Sequence, residues 1–407
     1  MGASASSSSK EYVIPETMKR LVLTAPGADL ASCQLDVVEI PVPSPGSGEV
    51  LIKVTASPIN PSDYGVWTRT PLAKCPCSIG LEGCGVVVAS GGGVMNSFSV
   101  GQKVGFTGLE HGQGAYSEFV VANAMKGTFT YPALVPIEDA ASHFVNPYTA
   151  VGILTTVRTH PGVTSFVHTA AASQLGQMMN RLVLEDGDLT ILNVVRREEQ
   201  AVLLRALGAT HVVVTGGNDS WKKELKVMME EFNTTVAFDA IAGEMSGDLL
   251  GLLPRKGSLY VYGGLGGPVT GVNPIDLIYH AKNLNGWLLP RWLSSGNMLL
   301  NVVPRIRAAT ARVGCGLAAG GWSSSQFVDT TLDAAHADFV ALRDGGLTGK
   351  KLRIRFDAAT AEEKKEEEGG EEEDGAAAAA GAGAAPEDAA AAPQAEEEEA
   401  AAAAAEE

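Results

Sequence analysis

The chain has 407 residues, 45% of them hydrophobic, enough to bury the cores of two or three domains. Its net charge of −17 is concentrated at one end: residues 358–407 hold 17 acidic residues against two lysines, so the rest is nearly neutral and has no broad basic face for nucleic acid. Five cysteines (Cys33, Cys75, Cys77, Cys84, Cys315) make neither a disulfide framework nor a paired zinc pattern, which points to free thiols in a reducing, cytoplasmic setting.

Residues 1–17 read as a flexible, Ser-rich leader without the apolar stretch of a secretory signal. Met1-Gly2-Ala3-Ser4-Ala5-Ser6 fits the template for N-myristoylation at Gly2, and one acyl chain gives only weak membrane association. No apolar run approaches the ~20 residues of a membrane span, so no stable insertion is expected. From Met18 to about Thr130 the pattern is all-β, with apolar strands at Val50 to Ala56, Gly85 to Ala89 and Tyr116 to Val121 between Gly, Pro and Ser clusters. We set this β-rich domain at 18–146.

Over 147–290 the rhythm becomes strand, helix, strand. Strands are expected at Thr164 to Ala170, Leu189 to Val195, His211 to Thr215, Val236 to Ile241, Ser258 to Gly263 and Leu284 to Leu289. Helices fall between them at Gln174 to Glu185, Glu198 to Leu207, Ser220 to Phe232, Gly247 to Leu253 and Pro274 to Ala281. The fold class is therefore α/β, with a doubly wound parallel sheet. Residues 291–357 form a return segment to the first domain, with strand, helix and strand over 324–356. The Ala/Glu-rich tail, 358–407, cannot bury a core and is expected to be disordered, either a solubilising appendage or a docking site for a basic partner.

The strongest local signal is Ser165 to Gly176, where a buried strand enters a turn of small residues and then a helix. Of the usual G-x-G-x-x-G only Gly176 remains; Ala171 and Ser173 hold the first two glycine positions. Small residues let backbone approach a pyrophosphate while helix N–H groups point at it. Alone, the segment also reads as an ordinary strand-to-helix turn. The end of the next strand favours the first reading. Asn193-Val194-Val195 leads into Arg196, twenty residues past Gly176, where an acid would bind the ribose of NAD. An arginine there pairs with the 2′-phosphate of NADP, and Arg197 adds to it; the other reading is a pair of solvated arginines opening a helix. A second small turn, Tyr262-Gly263-Gly264-Leu265, reads either as room for the nicotinamide half or as a plain turn.

Together with Ile59-Asn60-Pro61-Ser62-Asp63, Gly80-Leu81-Glu82-Gly83, Val145 to Ala150 and Gly286-Trp287-Leu288, these motifs resemble the medium-chain dehydrogenase/reductase superfamily, over about Met18 to Phe356. Within it the chain is similar to the zinc-free quinone oxidoreductase and trans-2-enoyl thioester reductase branch. The resemblance implies a GroES-like β-rich catalytic domain joined to a Rossmann domain that binds NADPH. It places Asn60 and Asn146 at the nicotinamide, Ala172, Ser173, Gln174, Leu175 and Gly176 at the pyrophosphate, and Arg196 with Arg197 at the 2′-phosphate. Tyr262 to Leu265, Trp287 and Leu288 flank the nicotinamide end, and Lys350 or Lys351 completes the site. Zinc members carry Cys and His where this chain has Asn60 and Leu81, so no metal is expected.

The activity implied is hydride transfer to a quinone, an enone or an enoyl thioester, in a homodimer. Enoyl thioester reductases of this group place a Tyr where this chain has Pro71. Tyr64 is the nearest tyrosine, either a general acid or a cleft-wall residue; solvent is the other proton source. His111 and His143 read as structural. The alternative is a non-catalytic NADPH-binding redox sensor or structural protein.

Overall fold

The computed structural model describes residues 12–93, 96–108, 114–130, 135, 139–217, 220–318, 322, 326–345 and 349–356, and every count below is of these. The leader before Tyr12, the tail and His111 lie outside them. The N-terminal part carries β1 (Thr17–Ala25), β2 (Gln34–Pro41), β3 (Glu49–Pro58), α1 (Pro61–Arg69), β4 (Cys77–Ser78), β5 (Glu82–Ser90), β6 (Lys103–Thr107), β7 (Phe119–Asn123) and β8 (Thr128–Phe129). The expectation of an all-β segment misses α1. Pro58 and Pro61 read as chain breaks, yet Pro61 opens the helix, where its missing N–H costs nothing, and the Asp63 side chain accepts the Asn60 N–H at 2.8 Å.

The chain then forms α2 (Val145–Arg158), β9 (Ser165–Thr169), α3 (Gln174–Asp186), β10 (Thr190–Val195), α4 (Glu198–Ala206), β11 (Val212–Val214), α5 (Ser220–Glu231), β12 (Val236–Asp239), α6 (Glu244–Leu252), β13 (Ser258–Val261), α7 (Pro274–Ile278) and β14 (Asn283–Gly286). Its six strands are parallel in the order β11-β10-β9-β12-β13-β14, the doubly wound arrangement. Alternate residues face opposite ways and build two cores. Phe166, Ile191 and Phe238 pack with Tyr148 and Ile153 of α2 and Met179 of α3. Val167, Leu192 and Leu259 pack on the other face with Leu225 of α5 and Leu250 of α6. Each such buried side chain contributes about 1.5–3 kcal/mol before chain entropy is set against it.

The last part holds α8 (Leu289–Ser294), α9 (Val303–Ala318), β15 (Phe327–Thr330), α10 (Ala335–Gly345) and β16 (Lys351–Arg355). β16 returns to the first domain and pairs antiparallel with β3, in a seven-stranded sheet that also contains β5 and β6. Lys351 is thereby brought to β5 and the start of α1, which lie nearly three hundred residues earlier.

Candidate active site

The turn between β9 and α3 leaves no room for side chains at its tightest point. Ser173 caps α3, its Oγ accepting the Gly176 N–H at 3.1 Å, and Ala170 is held at φ +50°. At Gly176 a Cβ would fall 2.1 Å from the Ala171 carbonyl oxygen, so this position has no room for a side chain. Ala171 and Ala172 are buried, while Ser173, Gln174 and Leu175 are half-exposed at the helix N-terminus, where backbone N–H groups favour an anion. The Gln174 side chain donates to the Gly349 carbonyl, which ties the turn to the segment before β16.

Arg196 and Arg197 follow β10 with exposed side chains, and their backbone N–H groups both donate to Gln200 Oε1, at 3.0 and 3.1 Å. Arg197 lies 3.7 Å from Glu199, and no carboxylate partner is recorded for Arg196 among the described residues. Tyr262, Gly263, Gly264 and Leu265 follow β13, at the same end of the sheet. A Cβ at Gly263 would meet the Ala240 carbonyl oxygen at 2.4 Å, whereas Gly264 opens on free space. The Tyr262 hydroxyl is hydrogen-bonded at 2.7 Å to Nε2 of His168 on β9, and the two rings stack. Burial pushes the His168 pKa down to about 3, so its ring is neutral.

A second cluster lies where the β-rich domain meets α2. Glu82, at the start of β5, is fully buried. Its Oε2 accepts the N–H groups of Phe144 and Val145 at 2.8 Å each, at the start of α2. Its Oε1 accepts Asn60 Nδ2 at 3.0 Å and lies 3.5 Å from Lys351 Nζ. Asn146, half-buried, sits in that first turn of α2. One carboxylate therefore joins Asn60 to the helix turn that carries Asn146. Burial lowers the Lys351 pKa, and the charges of Glu82 and Asp63 oppose the shift. Of the two lysines the sequence offers, Lys351 is buried in this cluster and Lys350 is exposed.

Asp63 is buried beneath Asn60, and desolvation pushes its carboxyl up to about 7, with the Asn60 N–H pulling it down and the Glu82 charge adding to the rise. The folded protein thus keeps a proton that the unfolded chain releases near 3.8. Between these two values stability should fall as pH rises, by a few kcal/mol at most. Asp63→Asn is expected to flatten that slope, which urea denaturation at a series of pH values measures.

Three expected site residues have other surroundings. The Tyr64 ring packs at 6.3 Å from Phe339 of α10 and lies under the Arg343 guanidinium, and no contact ties it to Asn60 or Lys351 among the described residues. These contacts are those of a wall residue, one of the two readings the sequence leaves open. Trp287 turns onto α2, where Nε1 donates to Thr156 Oγ1 at 3.0 Å and the ring fills the space left by Gly152. Leu288 is 53% exposed just before α8. Sequence reasoning quoted Glu82 within a motif and gave it no role; its signal was a lone acid leading an apolar strand.

Residues 46–138 match the alcohol dehydrogenase GroES-like domain, and residues 175–302 match the zinc-binding dehydrogenase family. The mitochondrial enoyl-[acyl-carrier-protein] reductase of Xenopus tropicalis is 30% identical over 266 residues, covering 63% of this chain and 74% of that protein. The chain belongs to the medium-chain dehydrogenase/reductase superfamily. Prostaglandin reductase-3 of Mus musculus, 26% identical over 294 residues, covers 69% of the chain and 75% of its own length. Among solved structures of the superfamily, a putative NADPH:quinone reductase from Mesorhizobium loti superimposes with a TM-score of 0.72 at 28% identity, over 84% of this chain and 100% of its own. The Escherichia coli quinone oxidoreductase complexed with NADPH gives 0.68 at 20% identity, over 82% and 99%, a likeness of fold alone.

Proposed function

We propose that this superfamily member is an NADPH-dependent oxidoreductase that reduces a quinone or an α,β-unsaturated carbonyl compound, including enoyl thioesters, without zinc. The observation that carries the reading is the pairing of the crowded Ser173–Gly176 turn with Arg196 at the tip of the adjacent strand. That pairing suits a pyrophosphate and a 2′-phosphate respectively. The names of the relatives, enoyl reductase, prostaglandin reductase and quinone reductase, support the acceptor class.

NADPH, when bound, supplies the hydride. The chain's own residues orient and enclose. Ser173 and the N-terminus of α3 hold the pyrophosphate, Arg196 supported by Arg197 holds the 2′-phosphate, and the Tyr262–Leu265 turn admits the nicotinamide end. Asn60, Asn146 and Lys351 line the neighbouring cleft. The zinc-free reading rests on donor chemistry: Asn60 offers an amide already bonded to Glu82, Leu81 offers no ligand atom, and no group of three or more metal-ligating residues occurs among the described residues. Solvent is the proton source this packing favours, so Tyr64→Phe should slow turnover by less than about threefold.

A homodimer fits the exposed apolar residues Ile275, Leu277, Ile278 and Tyr279 beside β14, the edge of the parallel sheet. Sedimentation velocity tests it. No helix among the described residues is long and apolar enough to cross a membrane. The activity is tested by following NADPH absorbance with a panel of quinones, enones and enoyl thioesters. Consumption with one of these classes is expected; tight NADPH binding with none consumed would favour the sensor reading.

A further inference from the structure

Glu82 accepts four hydrogen-bond donors that come from three separate parts of the chain, and no part of it is exposed. The amides of Phe144 and Val145 use Oε2; Asn60 Nδ2 and the Lys351 ammonium use Oε1. This arrangement fixes the polarity of the Asn60 amide. Turned by half a rotation, Asn60 would set its own oxygen against Oε1, two acceptors facing each other in a dry site. Nδ2 is therefore committed to Glu82. Oδ1 is the atom left over, buried and without a hydrogen-bond partner among the described residues. An unfilled acceptor in such a place is relieved by a ligand that brings a donor.

We infer that Glu82 is a positioning residue that locks Asn60 as a hydrogen-bond acceptor toward the bound ligand. The inference rests on the reading of this cleft given above. Its consequence is chemical: Asn60 meets an N–H, such as the carboxamide of the nicotinamide, and does not hold the carbonyl oxygen of the electron acceptor. Lys351 balances the buried charge that makes the lock possible.

Exchanging the two side chains tests this. Glu82→Gln keeps its oxygen on the two α2 amides and turns an NH2 toward Asn60, which forces Asn60 to present Oδ1 inward. Asn60→Asp alone sets two carboxylates against each other. Together, Glu82→Gln and Asn60→Asp restore one donor and one acceptor, return a negative charge to Lys351, and leave an acceptor oxygen for the ligand. Each single variant should lose at least about tenfold in single-turnover NADPH oxidation, and the double variant should return to within about threefold of the wild type. Adenosine 2′,5′-bisphosphate, which reaches only the Arg196 end, should bind all three variants as it binds the wild type. Its binding shows that a slow variant is folded.

Single variants as active as the wild type, or a folded double variant no faster than either single one, would overturn the proposal. If Glu82→Gln alone does not fold, the double variant decides, because the exchange predicts that it folds and turns over. A wild type that binds no NADPH overturns both this inference and the functional reading. A failed exchange in an active wild-type background overturns only this one.

Discussion

Arg196→Asp is expected to raise the KM for NADPH by about 100-fold while changing that for NADH by no more than about threefold. The guanidinium stands exposed at the tip of β10, and no carboxylate partner is recorded for it among the described residues. Its charge is therefore available to a phosphate rather than spent on a neighbour. Losing a charge-assisted pair costs about 1.5–3 kcal/mol, and an aspartate adds repulsion of the 2′-phosphate. The backbone of the turn should survive, because Gln200 Oε1 holds the main-chain N–H groups of Arg196 and Arg197 rather than their side chains. Arg197→Ala should have a smaller effect, since Glu199 already lies 3.7 Å from its guanidinium. Raising the salt concentration should weaken NADPH binding by the wild type more than by Arg196→Asp, as screening acts on the attraction the variant lacks.

Gly176→Val is expected to abolish measurable NADPH binding and to destabilise the fold by about 3 kcal/mol. Even the first added carbon would lie 2.1 Å from the Ala171 oxygen and 2.5 Å from its carbonyl carbon. Both are main-chain atoms at the end of β9, so no side-chain rotation relieves the overlap. The N-terminus of α3 must move away from the strand, which pulls Ser173 off its cap and opens the cradle. Thermal unfolding followed by circular dichroism, together with NADPH fluorescence titration, separates the two effects. Gly264→Ala is the matched comparison, because its added carbon meets nothing within 4 Å.

The parallel sheet was legible because its inner strands are short apolar runs and the crossover helices show their own period; the observed boundaries differ by only a few residues. Helix α1 was not, because Pro58 and Pro61 suggest a loop until the Asn60 and Asp63 contacts at its start are seen. Helix α9 lay hidden in a stretch read only as a return segment.

At the candidate site, the proposed phosphate-binding half could be put forward from sequence because it is local: a turn and a strand end twenty residues apart. The other half is assembled from Asn60, Glu82, Val145 and Lys351, and nothing in a linear pattern joins them. Lys350 and Lys351 are adjacent, so only the pairing of β16 with β3 shows which one is buried. The packing of Trp287 was hidden for the same reason. Its partner is the gap at Gly152, on a helix more than a hundred residues earlier.

Single-turnover oxidation of NADPH carrying deuterium at C4 measures hydride transfer itself. With an enoyl thioester that the protein turns over, deuterium should be retained on the reduced carbon; with a quinone, whose hydroquinone O–D exchanges with water, the primary isotope effect on the rate is the readout. Saturating NADPH that stays reduced with every acceptor tried would contradict hydride transfer by this protein and leave it a binder of the dinucleotide.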